Sequence, residues 1–356
     1  MLFYISIILF VCLCAGFLTI LYSNQRNRDK AYLWIIGSVL FVLYCFKAET
    51  VGSDYVTYLD FFDKCYWLDY DRLLSNDKDF SGFEKGYMLL NKIVNDIYPY
   101  HIAFSFVLAL LFSFMSCHLL KEYVKPLWMG FFLLTTLSIY TNSFSMVRQS
   151  LAMFICWMSI RFILKKKLLL FLLFVTIAFY FHKTALIFLP LYFVGKLRLN
   201  IKWITVGLLG CYFIGLFIHS IMGYATIILQ ANDYLDDGSS GGMMKFLFLF
   251  FSFLFIYLLL KKRNLLENDA TIFFVNMLFF MLLIQSIALH FSILTRITDY
   301  FVFSLCVLYP LVITDRLWKK NIVLVKIIFI LFFLYFFYAT NKADLYDVIP
   351  YQFSRL

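Results

Sequence analysis

Five ionisable residues of this chain lie beside or within strongly apolar sequence, where a charge is costly to keep. They are Asp54, Arg148, His182, Lys183 and Arg296. Ionisable side chains in or at the edge of a membrane are expensive and usually functional. Two arginines and a lysine at one depth suit an anionic group such as a diphosphate, because guanidinium groups bind phosphate oxygens bidentately. A neutral histidine beside them can accept a proton near neutral pH, so the set predicts transfer of a group from a phosphorylated donor.

Most of these residues also have a purely structural interpretation. Asp54 follows a Gly-Ser turn and is compatible with a solvated loop acid. Arg148 begins a helix, where its charge opposes the helix dipole, and its structural alternative is an arginine whose head reaches the interface. His182 alone could be a core histidine, and Arg296 could pair with Asp299 at i,i+3. We expect these residues at one boundary of the membrane, the outer one, and their coincidence there favours a site.

The elements that must position these residues are membrane-spanning helices. Apolar residues make up 63% of the 356 residues and charged residues 15%, and the mean hydropathy is +0.85. Continuous apolar runs of membrane-spanning length predict an all-α integral membrane protein, a polytopic bundle of about twelve transmembrane helices. We expect the first helix to be retained. The predicted helices cover residues 2–22, 31–47, 101–119, 127–142, 146–164, 168–181, 184–195, 203–222, 244–260, 270–290, 297–313 and 322–339.

The net charge of +10 is unevenly distributed along the chain. Basic residues gather in every second gap between the apolar runs, which by the positive-inside rule makes those gaps cytoplasmic and both termini periplasmic or extracellular. The charge therefore indicates membrane topology and no nucleic-acid partner. The basic gaps contain Arg26, Arg28 and Lys30; Lys121 and Lys125; Lys165, Lys166 and Lys167; Lys196, Arg198 and Lys202; Lys261, Lys262 and Arg263; and Arg316, Lys319 and Lys320.

Two outer loops interrupt what we expect to be a single transmembrane domain over residues 1–356. The larger, residues 48–100, has ten acidic and five basic residues, and apolar residues at helical spacing predict a short interfacial helix over 86–98. The second, residues 223–243, contains DDGSSGG and is predicted to be flexible. Seven of the eight cysteines lie in apolar segments without metal-ligand spacing, so we predict no metal site and no cofactor.

Four short motifs in this order resemble the EpsG branch of the Wzy-type polysaccharide polymerases. The resemblance extends from about residue 45 to 312. Its most specific pieces are the Arg-Gln pair and the Phe-His-Lys-Thr-Ala run. The motifs are Gly52-x-Asp54-x-x-x-Tyr58, Val147-Arg148-Gln149-x-x-Ala152, Phe181-His182-Lys183-Thr184-Ala185-Leu186 and Arg296-x-x-x-Tyr300.

The resemblance implies a GT-C-like glycosyltransferase in the cell inner (plasma) membrane, with its active site facing the periplasm or exterior. Such an enzyme transfers the growing glycan from undecaprenyl diphosphate to an incoming lipid-linked repeat unit. Its partners would be those lipid-linked oligosaccharides, membrane lipid and a chain-length regulator protein.

Carried onto this sequence, the resemblance makes Asp54, His182, Arg148 and Arg296 the catalytic residues. The arginines would hold diphosphate and Asp54 would contact or activate the acceptor hydroxyl, so that Asp54 and His182 are rival bases. The expected substrate-binding residues are Lys183, Gln149, Tyr58, Tyr300 and Asp299.

Two other functions use similar features. A ligase that transfers a finished glycan from the same lipid to a lipid core acceptor needs the same arginine and histidine groups. A flippase for lipid-linked oligosaccharides should show charges near the bilayer midplane and internal repeats. The predicted helix interiors are nearly free of charge and show no half-to-half repeat, which favours the polymerase over the flippase.

Overall fold

The computed structural model of this chain describes residues 1–74, 82–229, 242–291 and 294–354. Within these residues the regular elements are helices, and β structure is limited to one isolated antiparallel bridge between Lys47 and Phe353. The helices are α1 (Leu2–Leu21), α2 (Gln25–Cys45), α3 (Tyr55–Lys64), α4 (Tyr70–Leu74), α5 (Lys85–Ile97), α6 (His101–Tyr123), α7 (Leu127–Thr136), α8 (Ile139–Asn142), α9 (Val147–Met158), α10 (Ile160–Leu164), α11 (Leu168–Phe181), α12 (Leu191–Val194), α13 (Ile201–Leu229), α14 (Met243–Lys262), α15 (Asp269–Ala288), α16 (Leu294–Ile297), α17 (Phe303–Ile313) and α18 (Ile322–Asn341). Short 3-10 segments lie at Cys65–Trp67, Lys183–Phe188, Leu265–Glu267, Thr298–Phe301 and Arg316–Trp318.

Among the described residues, seven helices are long and apolar enough to cross a membrane, and an eighth span results if the pair Leu294–Phe301 and Phe303–Ile313, bent by 49°, counts as one. Large apolar side chains cover the outer faces of several of them; Ile20 of α1 is 85% exposed and Leu331 of α18 is 60% exposed. Surfaces of this kind are stable against lipid chains and unfavourable in water. The chain is a polytopic helical membrane protein, as the sequence predicts.

The predicted number of about twelve spans stays a prediction. Helix α2 carries Arg26, Arg28, Asp29 and Lys30 in its first turns, which leaves fewer apolar residues than a full span requires. Helices α7 and α11 and the segment Lys183–Val194 are apolar but have only 10 to 17 residues each. The GT-C-like arrangement likewise stays a prediction.

The chain forms two compact units. Unit 1 consists of Met1–Ile160, Leu169–Leu186 and Ile313–Leu356, and unit 2 of Arg161–Leu168 and Ile187–Val312. In unit 1, α2 packs along α6, and α1 packs against α2 and α7. An aromatic cluster fills the space between them, in which Tyr44 contacts Phe112, Tyr140 and Phe144. The single transmembrane domain expected over residues 1–356 stays a prediction.

Unit 2 is built around the buried helix α15, which packs against α13 and α14. The Asn276 amide of α15 donates hydrogen bonds to the carbonyls of Val194, Gly195 and Leu197 and so fixes the end of α12. Helix α13 continues to Leu229, and most of the predicted flexible loop 223–243 lies outside the described residues.

Where the structure describes it, segment 48–100 contains short helices of unit 1. Helix α5 occupies the stretch for which the sequence predicts a helix, and its buried residues include Tyr87, Met88 and Val94. This face packs against α3 and α6. A position of α5 at the membrane surface stays a prediction.

Candidate active site in unit 1

Glu84 lies at the centre of a charged cluster that joins two of the sequence motifs. Its Oε2 accepts a hydrogen bond from Arg148 Nη1 at 2.7 Å, and its Oε1 lies 2.9 Å from His182 Nδ1. The backbone N–H of Lys183 also points to Oε1, at 3.3 Å. The Glu84 side chain is only 10% exposed, whereas those of Arg148 and His182 are 23% and 25% exposed. The carboxylate is therefore largely enclosed, and its two partners remain partly accessible.

Gly86 explains how Glu84 comes so close to His182. It lies in the first turn of α5, against the last turn of α11, and a Cβ at this position would be 2.7 Å from the carbonyl oxygen of Tyr180. A larger residue would push α5 away from α11. Since Glu84 directly precedes α5 and His182 directly follows α11, this close approach sets their separation.

The Arg148 guanidinium is held by aromatic rings as well as by charge. It lies 4.9 Å from the ring centre of Phe83 and 5.8 Å from that of Tyr58, within the range of cation–π attraction. Its Nη1 also donates to the carbonyl of Gly82 at 2.7 Å. Its Nε is buried and has no hydrogen-bond partner within the described part of the chain. Arg148 is therefore fixed through Nη1 and by the two rings, and its side chain stays 23% exposed.

The turn that carries Asp54 is tied to the segment leading into α9. Ser53 Oγ and Ser145 Oγ are 2.7 Å apart, and Ser145 comes three residues before Arg148. Asp54 begins α3 and is exposed. Burial raises the pKa of Tyr58, one turn further along α3, although the charge of Arg148 opposes that rise. Residues of the first three motifs thus lie in one region of unit 1.

The negative charge of Glu84 determines which ring nitrogen of His182 carries the hydrogen. Burial by itself raises the pKa of Glu84, but the hydrogen bond with His182 and the charge of Arg148 outweigh it and lower that pKa to about 2. Glu84 is therefore a carboxylate at neutral pH and can only accept hydrogen bonds. His182 Nδ1 must then donate its hydrogen to Glu84, so that in neutral His182 the free lone pair is on Nε2.

The fourth motif belongs to unit 2. Arg296 is exposed and Asp299 partly exposed, whereas Tyr300 is fully buried in the 3-10 segment Thr298–Phe301. The Asp299 carboxylate binds Lys245 Nζ at 2.8 Å, and Lys245 also donates to the carbonyl of Thr295. Asp299 thus has a cation from α14 as a partner.

The sequence does not predict two candidate functional residues, Glu84 and Lys245. Glu84 is one of ten acidic residues in segment 48–100, and nothing in its local sequence separates it from the others. Lys245 follows the DDGSSGG stretch, and its sequence context is typical of an ordinary lysine at the membrane interface. Of the expected substrate-binding residues, Lys183 is exposed and Gln149 is 8% exposed.

Fold and site together define a polytopic helical membrane protein with an Arg–Glu–His cluster at one end of a helical unit. A family model matches residues 30–353 and is that of the EpsG family. Because the match covers most of the chain, this protein belongs to the EpsG family and is a membrane protein of polysaccharide biosynthesis. No curated protein and no solved structure matches it.

Proposed function

We propose that this protein is a polysaccharide repeat-unit polymerase, a glycosyltransferase that transfers the growing glycan from undecaprenyl diphosphate to an incoming lipid-linked repeat unit. The observation that carries the proposal is the bridge through Glu84, which places a guanidinium group and an imidazole on one carboxylate. Transfer from a lipid diphosphate needs both a cation for the departing diphosphate and a group that takes the acceptor's proton.

His182 is the proposed base. Glu84 fixes Nδ1 as the donor, so Nε2 takes the proton of the acceptor hydroxyl while that oxygen forms a bond to the anomeric carbon of the donor sugar. The bond from this carbon to the diphosphate oxygen breaks, and its electron pair leaves with the lipid diphosphate. An imidazole held in this way resembles the histidine of acyl-transfer sites in that a carboxylate sets its tautomer.

Arg148 and Lys183 are the proposed diphosphate ligands on unit 1. Glu84 already neutralises part of the Arg148 charge. The exposed part of the Arg148 side chain is therefore proposed to act together with the exposed Lys183 side chain, which supplies additional positive charge. The exposed Asp54 is proposed to contact the acceptor sugar, because carboxylates accept hydrogen bonds from sugar hydroxyls. Tyr58, on the same helix, is buried and supports the Arg148 guanidinium group. The catalytic role of Arg296 and the substrate-binding role of Asp299 stay predictions from the family resemblance.

The proposed site faces the outside of the cell. Helix α2 begins beside the basic residues of the first gap and ends close to the Asp54 turn, and α6 begins near the site and ends beside Lys121. Each helix is ~30 Å long at 1.5 Å per residue. The basic residues Arg26, Arg28, Lys30 and Lys121 therefore lie at the helix ends opposite to Glu84, and the positive-inside rule assigns those ends to the cytoplasm.

The proposal is tested in cells that lack the gene and carry it on a plasmid. Arg148→Ala and His182→Ala should abolish polymer and leave single repeat units on lipid, at normal protein levels in the membrane. His118→Ala is the matched control, because His118 pairs with Glu122 at the other end of α6. Wild-type polymer in the Arg148→Ala cells would contradict the site, and a product without banded lengths in wild-type cells would favour a ligase.

A further inference from the structure

The last residues of the chain return to the turn that carries Asp54. After α18 ends at Asn341, residues 344–354 (the C-terminal segment) run beside residues 46–53. The N–H of Gly52 donates to the carbonyl of Asp347 at 2.9 Å, and that of Ser53 donates to the carbonyl of Tyr346 at 2.8 Å. Further bonds of 2.8 Å join Ala48 N to Gln352 O and Ser354 N to Phe46 O. The backbone of the Asp54 turn (residues 51–54) is thus bonded to the C-terminal segment.

The C-terminal segment has its own internal support. The Asp344 carboxylate accepts hydrogen bonds from the N–H groups of Val348 and Ile349 at 2.9 and 3.1 Å, which bends the chain so that the intervening carbonyls face the turn. Tyr351 donates from its hydroxyl to the carbonyl of Leu43 at 2.8 Å, and Tyr4 donates to that of Val348 at 2.8 Å. The segment is therefore anchored to both α1 and α2.

The opposite side of the turn leaves it no room to shift. Gly52 has a φ of +110°, and a Cβ there would clash with the carbonyl oxygen of Phe144. Lys47, buried in the angle of the turn, donates from Nζ to the carbonyl of Val51 at 3.0 Å. The turn is held between the C-terminal segment on one side and the segment that leads into Arg148 on the other.

We infer that the C-terminal segment is a positioning element of the site, and that Asp344 is its key residue, which sets where the Asp54 carboxylate meets the acceptor sugar. This inference rests on the acceptor role proposed above for Asp54. Backbone bonds from outside the turn fix Gly52 and Ser53, and Asp54 follows them directly. Loss of the Asp344 support releases the carbonyls of Tyr346 and Asp347, so Asp54 loses its place without any change in its own chemistry.

Three substitutions at Asp344 separate side-chain support from backbone strain. Asp344 has a φ of +43°, in the left-handed region that Asn and Gly tolerate and Ala does not. Asp344→Asn keeps an acceptor for the N–H groups of Val348 and Ile349. Asp344→Gly removes the acceptor without strain, and Asp344→Ala removes the acceptor and adds strain.

The experiment uses the full-length purified protein in detergent with isolated lipid-diphosphate-linked repeat units. Hydrogen–deuterium exchange at the amides of Gly52 and Ser53 should be faster in Asp344→Gly and Asp344→Ala and unchanged in Asp344→Asn. In the same two variants the apparent KM for the incoming repeat unit should rise about fivefold, which corresponds to ~1 kcal/mol of lost positioning. Asp344→Asn should restore it.

The two readouts separate the possible failures. Unchanged amide exchange in Asp344→Gly would overturn the structural part of the inference, and faster exchange with an unchanged KM would overturn the positioning. If Asp54→Ala raises the KM and Asp344→Gly does not, only the positioning role of the C-terminal segment is overturned. If Asp54→Ala itself leaves the KM unchanged, the acceptor role proposed for Asp54 is overturned, and so is the positioning role of the C-terminal segment.

Discussion

Glu84 Oε1 and His182 Nδ1 are 2.9 Å apart, although the two residues are separated by 98 positions in the sequence. The same carboxylate binds Arg148 through its other oxygen. One side chain from segment 48–100 thus joins the start of α9 to the end of α11, and the first predictions concern this contact.

Replacement of Glu84 by Gln should reduce polymer formation strongly with little change in shape. Gln lacks the charge that balances Arg148 and cannot hold Nδ1 of His182 as a carboxylate does. Because a positioned base contributes on the order of 100-fold or more to a rate, we expect little or no long polymer on gels of surface glycan. Glu122→Gln is the control, since Glu122 also lies beside a histidine, 3.3 Å from His118 Nε2, near the other end of α6. Equal polymer in the two variants would contradict a role for Glu84.

The lowered pKa of Glu84 predicts a pH dependence of stability. A carboxyl whose pKa in the folded protein is about 2 stabilises the fold above its ordinary pKa, and this contribution is lost as the pH falls towards 2. We expect it to be worth about 2–3 kcal/mol at neutral pH. Melting temperatures of the purified protein between pH 6 and pH 3 should fall less steeply for Glu84→Gln than for the wild type. Parallel curves would show that Glu84 is not held as described.

Gly86→Ala should weaken the site by a purely steric route. The added methyl group would meet the Tyr180 carbonyl at 2.7 Å, so α5 must move and Glu84 must move away from His182. Polymer should decrease although no charged residue has changed. Gly82→Ala offers a close control, because a Cβ at Gly82 meets no atom of the described residues within 4 Å. A decrease in Gly82→Ala as large as that in Gly86→Ala would rule out this explanation.

Although Arg148→Lys is a conservative change, it should lower polymer yield almost as strongly as Arg148→Ala. Lysine keeps the positive charge but lacks the planar guanidinium group that lies against the rings of Phe83 and Tyr58 and carries further N–H groups beside Nη1. We expect polymer yield to fall by about tenfold or more, the change that loss of ~1.4 kcal/mol produces. Lys183→Arg, which keeps a cation on an exposed position, should by contrast retain most polymer. Full activity of Arg148→Lys would show that charge alone suffices at this position.

The helices and several site residues are predictable from sequence because they depend on local patterns. Apolar runs predict the seven long spans, and the misplaced charges single out Arg148 and His182. Glu84 is not predictable in this way, since an acidic residue in a polar loop is unremarkable until α5 packs against α11. The role of Gly86 has the same origin, because it depends on the position of Tyr180 and not on any neighbour in sequence.

The sequence also fails to predict where some helices end, because the apolar pattern weakens there. The sequence places a loop from residue 223, but α13 continues to Leu229, because apolar residues extend the helix beyond the expected span. The bonds between the Asp54 turn and the C-terminal segment join residues almost 300 positions apart, and backbone groups form them. No side-chain pattern reports such contacts.

The central claim is that His182, held by Glu84, takes the acceptor's proton during transfer from a lipid diphosphate. The most direct test is the rate at which purified protein in liposomes releases free lipid diphosphate from isolated lipid-linked repeat units, measured for the wild type and His182→Ala. The account predicts release together with growing glycan in the wild type, and a rate lower by on the order of 100-fold or more in His182→Ala. Equal rates of release by the two proteins would contradict it.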